Sequence, residues 1–200
     1  MTFGFPNISF IGYPAPAPGP AHAGLGFRET TPRDLPAVRD HFARLSPDCR
    51  RRRFCATLAP AAVEAHARAV WDRSDVVLAA FDGPLWDGLL HKAGPIRALA
   101  ELAVEGRDAE IGLSVDDGLR RRGVGTWLVQ TAARVLAPRG VARILAYATP
   151  DNVAMIRLAL RSGARIERSS SEVEIAFDAP SLHRAYLRRR LSEQVFRRAG

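Results

Sequence analysis

Arg120-Arg121-Arg122-Gly123-Val124-Gly125-Thr126 is the stretch on which the reading of this 200-residue chain turns. It follows a segment with strand character, Ala109-Glu110-Ile111-Gly112-Leu113-Ser114-Val115. It precedes a helix expected over residues 126–137, where Leu128, Ala132, Val135 and Leu136 share one face. Glycines at alternate positions let the chain turn sharply and bring its N–H groups close to an anion. The helix that follows adds unpaired N-terminal donors and the positive end of its dipole. Arginines beside such a nest favour a phosphate guest. Taken alone, the same pattern also serves as a tight strand-to-helix connection.

Two other phosphate-binding patterns fail. A P-loop needs Gly-Lys-Ser/Thr, and the chain has a single lysine, Lys92, outside any such triplet. The dinucleotide fingerprint needs a third small residue where Leu128 stands. It also needs an acidic residue about 20 positions further on, where the chain runs apolar around Leu145.

Working outward, residues 96–104 and 109–115 read as two antiparallel strands joined by the Glu105-Gly106-Arg107-Asp108 turn. Upstream, a strand at residues 25–29 leads to Thr31-Pro32-Arg33-Asp34, a cap for a helix reaching Leu45 with Leu35, Val38 and Phe42 on its apolar stripe. Ser46-Pro47 should stop that helix. A second helix is expected over 60–72 and a buried strand over 75–81. Downstream come a strand at 141–148, a helix at 152–162 closed by Gly163, and a hairpin over 164–177. A basic amphipathic helix over 181–198 follows, with Leu187, Leu191 and Val195 in line. Strands and helices in this alternation point to a three-layer α/β or α+β domain over residues 25–180. Residues 1–24, with the Pro/Ala/Gly tract at 14–20, form a separate arm, and 181–200 a basic tail.

At this point Arg120-x-x-Gly123-x-Gly125 resembles the Gln/Arg-x-x-Gly-x-Gly/Ala signature of the GNAT N-acyltransferases. Ala109-Glu110-Ile111-Gly112-Leu113 resembles the fourth strand of members that carry a catalytic glutamate there. Asn152, opening a segment that runs through Met155 and Leu158 to Gly163, is similar to the family's Asn-x-x-(small or Met)-…-Gly-Phe segment. Three motifs in family order are far more specific than one. Leu45-Ser46-Pro47-Asp48-Cys49-Arg50-Arg51-Arg52-Arg53-Phe54 looks like the Leu-Ser-Pro-x-x-Arg-x-x-Arg-Phe stretch in the acetyltransferase module of bacterial protein-lysine acetyltransferases.

The resemblance implies a central mixed, mostly antiparallel sheet flanked by helices, with acetyl-coenzyme A as co-substrate and no metal. It implies that the backbone of Leu113, Ser114 and Val115 bonds the pantetheine arm between splayed fourth and fifth strands. Arg120, Arg121, Arg122, Gly123, Val124, Gly125 and Thr126 would wrap the pyrophosphate, Asn152 would bond the arm and Met155 would pack beside it. Glu110 would be the general base, with Glu101 and Glu105 next in line. Such a base is needed because a lysine amine is neutral at pH 7 only about once in 2,500 molecules. The acceptor is expected to be a primary amine, of a protein lysine or a small molecule.

The residues also leave alternatives. Glu110 can equally face solvent or pair with an arginine, and Asn152 after Pro150-Asp151 can cap a helix. Where many members carry the tyrosine that protonates the leaving thiolate, this chain has Ala159; Ala164 replaces the aromatic after the glycine. Tyr147 or the serines at 169–171 are the available substitutes. An acyl-coenzyme A sensor without efficient turnover is therefore a second reading.

The net charge of +8 keeps a nucleic-acid binder as a third reading, although no recognised module and little aromatic interleaving accompany it. The arginine runs at 50–53 and 188–190 read as solvated faces. The five histidines show no metal-ligand spacing, two cysteines cannot make a disulfide framework, and no hydrolase triad is suggested. No apolar run nears the roughly 20 residues that span a bilayer, and no lysine or arginine precedes Arg28, so neither a span nor a secretory signal is expected. A reducing cytoplasm is the expected setting, and monomer and homodimer remain equally open.

Overall fold

The structure, a computed structural model, describes residues 24–83 and 94–198, with side chains through Arg188 in the last helix. The Pro-rich arm, up to residue 23, lies outside the described residues. So do residues 84–93.

Seven strands form one sheet: β1 (Leu25–Glu29), β2 (Val76–Asp82), β3 (Ile96–Glu105), β4 (Asp108–Val115), β5 (Arg143–Ala148), β6 (Arg165–Arg168) and β7 (Val173–Asp178). Their order is β1-β2-β3-β4-β5-β7-β6. Only β4 and β5 run parallel; all other neighbours are antiparallel. This is the mixed, mostly antiparallel sheet that the resemblance implies.

Helices α1 (Leu35–Arg44), α2 (Pro47–Phe54), α3 (Pro60–Arg68) and α4 (Val70–Arg73) cover one face. There Val38, Phe42, Leu45, Val63 and Val70 pack on Val77, Ala79, Phe81 and Leu99. Helices α5 (Val124–Leu136), α6 (Val153–Arg161) and α7 (Ala179–Arg198) cover the other, where Leu128, Leu136, Ile156 and Leu182 pack on Leu78, Ala100, Ile111, Ile144 and Ile175. Buried side chains of this size contribute roughly 1.5–3 kcal/mol each. Residues 76–81 are buried without interruption, the mark of a strand covered on both faces. By contrast β5 and β7 alternate buried with open positions, so one of their faces is not covered by a helix.

Three expectations need correction. Ser46-Pro47 does end α1, but it also starts α2: the Ser46 hydroxyl accepts from the Cys49 N–H at 3.2 Å, and Pro47 occupies the first helical position. The helix expected over 60–72 is two, α3 and α4, meeting at Ala69. In α7 the buried seam is Ala179, Leu182 and Tyr186, while Leu187 is 47% exposed; Leu191 and Val195 lie outside the described side chains. Docking on α5 sets that register, with the Arg134 guanidinium 5.5 Å from the Tyr186 ring centre. The boundary expected at residue 180 therefore falls within a helix whose first turns belong to the core.

Candidate active site

The site is organised by a fork in the sheet. β4 pairs with β3 along its whole length, from Asp108 opposite Glu105 to Val115 opposite Ala98. With β5 it pairs only at Asp108↔Arg143, Ala109↔Ile144 and Glu110↔Leu145. Among the described residues the β5 side of β4 has no strand partner beyond Glu110, which leaves strong backbone donors and acceptors available to a guest. A cleft of about 830 Å³ opens along this edge, lined by Leu113, Ser114 and Val115, by residues 117–126, and by Asn152, Met155 and Leu158 of α6. Cys49, Arg52 and Arg53 of α2 complete the wall.

The loop at the mouth has the conformation its glycines foretell. Arg121 (φ 61°) and Gly123 (φ 81°) are left-handed, and Gly123 is the N-cap of α5. That backbone costs a non-glycine residue such as Arg121 on the order of 1 kcal/mol. The Arg120 N–H is taken by the Asp117 carbonyl at 3.2 Å, and its guanidinium bridges Asp117 and the Cys49 sulfur. Arg120 is thus largely committed to protein. Among the described residues no acceptor takes the N–H groups of Arg121, Arg122, Gly123, Val124, Gly125 or Thr126; the first bond of the helix is Trp127 N–H to the Gly123 carbonyl at 2.9 Å. The Val124 side chain is buried, so only its backbone faces a ligand. At Gly125 an added Cβ would lie 3.0 Å from Leu158 Cδ1 and 3.3 Å from Leu113 Cδ2, which shows how closely helix, strand and α6 approach.

On α6, Asn152 is the N-cap, its Oδ1 accepting from the Met155 N–H at 3.2 Å. The capping alternative therefore holds, and the same residue lines the cleft beside Met155. Arg157 and Arg161 also line it, one helical turn apart, beside the exposed Arg121 and Arg122. The sequence reading missed these two; an Arg pair at i, i+4 behind the asparagine was the available signal.

The three candidate carboxylates are placed very differently. Glu110 closes the fork as the last residue paired with β5. It is exposed, on the sheet face opposite the Leu128 core, and forms no ion pair among the described residues. Glu101 is 7% exposed; its Oε1 accepts from Arg53 Nη2 at 2.7 Å and its Oε2 lies 2.8 Å from His66 Nε2. Burial pushes that carboxyl up, but the Arg53 charge and the His66 bond outweigh it and hold it below the ordinary range. Glu105 sits at the β3–β4 turn, at the end of β4 away from the cleft. Gly112, opposite Glu101, is where the Arg53 guanidinium rests: a Cβ there would collide with Nη2.

Tyr147 follows Leu145 by two residues on the Glu110 side of the sheet and is 39% exposed. Partial burial and the carboxylates of Glu174 and Glu110 push its phenol up, so it stays protonated at neutral pH. Ser169 is held in the β6–β7 turn by the Glu172 backbone, at 3.1 Å to its carbonyl and 3.0 Å from its N–H. Ala159, where the family tyrosine would stand, is fully buried in the core.

Ser114, His41 and Asp116, the first two 73 residues apart, meet in a Ser-His-Asp arrangement that the sequence did not suggest. His41 Nε2 lies 2.8 Å from Ser114 Oγ, and Nδ1 lies 3.3 Å from the Ile96 carbonyl and 3.2 Å from Asp116 Oδ1. His41 is wholly buried and Ser114 nearly so, and the trio pins the free end of β4 beneath α1. Among the described residues no cluster could hold a metal ion, and no helix is long and apolar enough to cross a membrane.

A strand fork, a cleft along it and a glycine turn with unbonded amides at a helix start are together the frame of an acyl-coenzyme A transferase. Residues 83–164 match the acetyltransferase (GNAT) family model. Over that segment the chain is similar to the GNAT acetyltransferases. Among solved structures it is similar to the GNAT domain of S. lividans PAT, with a TM-score of 0.61 and 24% identity, covering 77% of this chain and 90% of that one. It is also similar to the PaiA N-acetyltransferase from Thermoplasma acidophilum in complex with coenzyme A, with a TM-score of 0.58 and 13% identity, covering 77% and 98%. A third is the ribosomal-protein-S18-alanine N-acetyltransferase from Escherichia coli, with a TM-score of 0.54 and 17% identity, covering 78% and 94%. At these identities the likeness is one of fold. Among curated proteins none matches the sequence.

Proposed function

We propose that the protein moves an acetyl or other short acyl group from coenzyme A to a primary amine by direct attack, that Glu110 receives the amine proton, and that the acceptor is a protein lysine. One observation carries the reading: a run of unbonded amides at residues 121–126 stands on a cleft that follows the free edge of β4 at Leu113 to Val115, and Glu110 closes the fork three residues before Leu113.

The residues suit the co-substrate. Six free N–H groups, a helix start and the arginines 121, 122, 157 and 161 supply donors and positive charge for a diphosphate. The free edge of Leu113, Ser114 and Val115 offers amide partners to an extended arm, and Gly125 leaves the space a side chain would fill. Acetyl-coenzyme A, when bound, supplies a carbonyl activated as a thioester. Glu110 is the better base of the two carboxylates near the fork, because both oxygens of Glu101 are already engaged. The uncovered face of β5 and β7 gives an acceptor a way to Glu110.

The lysine acceptor rests on the Leu45-to-Phe54 motif, which builds the α2 wall of the cleft, and both free cysteines suit a reducing cytoplasm. The buried Ala159 favours a second reading, an acyl-coenzyme A sensor.

Two measurements separate these. Acetyl-coenzyme A should raise the melting temperature under both readings. Thiol release with lysine peptides and small amines should occur only in an enzyme and should collapse in Glu110→Gln; unchanged turnover in that variant removes Glu110 from the mechanism. Retention on nucleic acid that falls steeply with salt, with no response to acetyl-coenzyme A, would replace both readings with the third.

A further inference from the structure

The reaction above leaves one feature of the cleft without a part: a guanidinium held at its closed end. Arg53, on α2, reaches across to β3 and β4, and its side chain is 13% exposed. Glu101 anchors it through Nη2 at 2.7 Å, and His66 holds the far oxygen of Glu101 at 2.8 Å. The point where a Gly112 Cβ would stand is taken up by Nη2 and Cζ of Arg53, so glycine is what lets the cation rest on the strand. Its Nε is buried and has no hydrogen-bond partner. Arg53 nonetheless lines the cleft.

Position gives this cation a role. The strands close at Glu110↔Leu145, so an arm laid along the free edge of β4 from the loop can advance no further than the fork. Gly112 is two residues from that closure, under about 7 Å at the usual rise of a strand. The reacting end of the arm therefore arrives beside Arg53. Glu101 on β3 and His66 on α3 are bonded in one chain with Arg53, Glu110 on β4 and Tyr147 on β5 share that face of the sheet, and Arg52 of α2 lines the same wall of the cleft. Among the described residues Arg53 is the permanent cation that lies against Gly112, while Arg52 is paired with Asp48, and α6 offers Ala159 where a proton donor would stand.

We infer that Arg53 is a catalytic residue that stabilises the departing thiolate by charge, in place of protonating it. This rests on the transferase reading above. The amine nitrogen bonds to the thioester carbon, its proton passes to Glu110, and the C–S bond breaks with its electron pair on sulfur. The sulfur leaves as an anion beside the guanidinium and takes its proton later from water. Glu101 and His66 are positioning residues: they hold the guanidinium on Gly112 and keep its free side turned to the cleft.

The test uses coenzyme A itself as the probe, titrating its bound thiol by ultraviolet thiolate absorbance with affinity measured in parallel. In the wild-type chain the bound thiol should ionise about one pH unit or more below free coenzyme A, a tenfold change in its ionisation constant. Arg53→Gln should return it close to the free value and Arg53→Lys should fall between. With acetyl-coenzyme A, Arg53→Gln should lower kcat about tenfold or more and leave KM nearly unchanged. A bound wild-type thiol that titrates like the free one overturns the inference, whether or not either variant folds, and leaves the transferase reading standing. Equal midpoints in the wild type and Arg53→Gln overturn it too. Failure of the wild-type chain to bind coenzyme A removes the transferase reading and this inference with it.

Discussion

The two halves of the sheet differ in how they are covered. In β2 and the middle of β3 the residues are buried, with α1–α4 on one face and α5 on the other, and a charged group such as Glu101 survives there only because Arg53 and His66 take both its oxygens. In β5 and β7 every second residue is open to one side, and Tyr147 and Glu174 stand there without a helix above them. β4 belongs to both halves, and the fork lies where one gives way to the other. The same residue type therefore meets opposite fates on neighbouring strands. Glu101 is a buried ion-pair partner, and Glu110, two positions from the residue opposite it, is a free carboxylate at the fork.

This contrast can be broken or sharpened by substitution. The largest effect is expected at Glu110: Glu110→Gln should slow thiol release by about 10²–10⁴-fold and shift stability by less than about 0.5 kcal/mol, as at an ordinary exposed site. Kinetics beside a urea melt checks both halves of that statement. Next comes Gly125→Val, whose branched side chain would enter the space already bounded by Leu158 and Leu113. It should abolish the gain of about 2.7 kcal/mol that ligand at a hundred times Kd confers, read as loss of the acetyl-coenzyme A shift in a thermal melt.

Glu101→Gln should invert the Glu110 pattern, costing on the order of 3 kcal/mol because Arg53 is left buried without its counter-charge. The pH dependence carries a definite sign. The folded carboxyl of Glu101 lies below its ordinary value of 4.5, so its contribution is present above that value and is lost as pH falls through the folded one. The stability gap between wild type and Glu101→Gln should therefore be full at pH 7 and narrow below pH 4.5 in denaturant melts. A gap that stays constant with pH would show that the pair does not hold the carboxylate. The smallest effect belongs to the cap: Asn152→Ala should cost about 1 kcal/mol through the lost bond to the Met155 N–H, measurable by urea denaturation.

Much of the fold was legible in the sequence because it follows from local rules. The Gly106 turn, the strands on either side of it and the helix after Gly123 stand within a residue or two of where periodicity and turn residues put them. Local rules also explain the errors. Ser46-Pro47 reads equally as a helix stop and a helix start, and only the Ser46 bond to Cys49 shows that it is both. The Leu187 stripe of α7 was plausible as a pattern, but the register was decided by docking on α5, which buries Leu182 and Tyr186. In the site, the amides after Arg120 were legible because a glycine turn before a helix exposes them whatever surrounds it. The Arg53–Glu101 pair was not, since 48 residues separate its members and Arg53 read as one more arginine in a solvated run.

The sequence by itself determined the backbone conformations: where the chain turns left-handed at Gly123, where α5 begins, and that β4 ends beside it. These depend on φ/ψ preferences and hydrogen bonds between near neighbours, which each short segment carries with it. Only the tertiary structure decided which glutamate is free and which is bound, and that a cation from α2 lies on Gly112 at the fork. Burial and ion pairing arise between segments far apart in the chain, and they come into being when the layers pack.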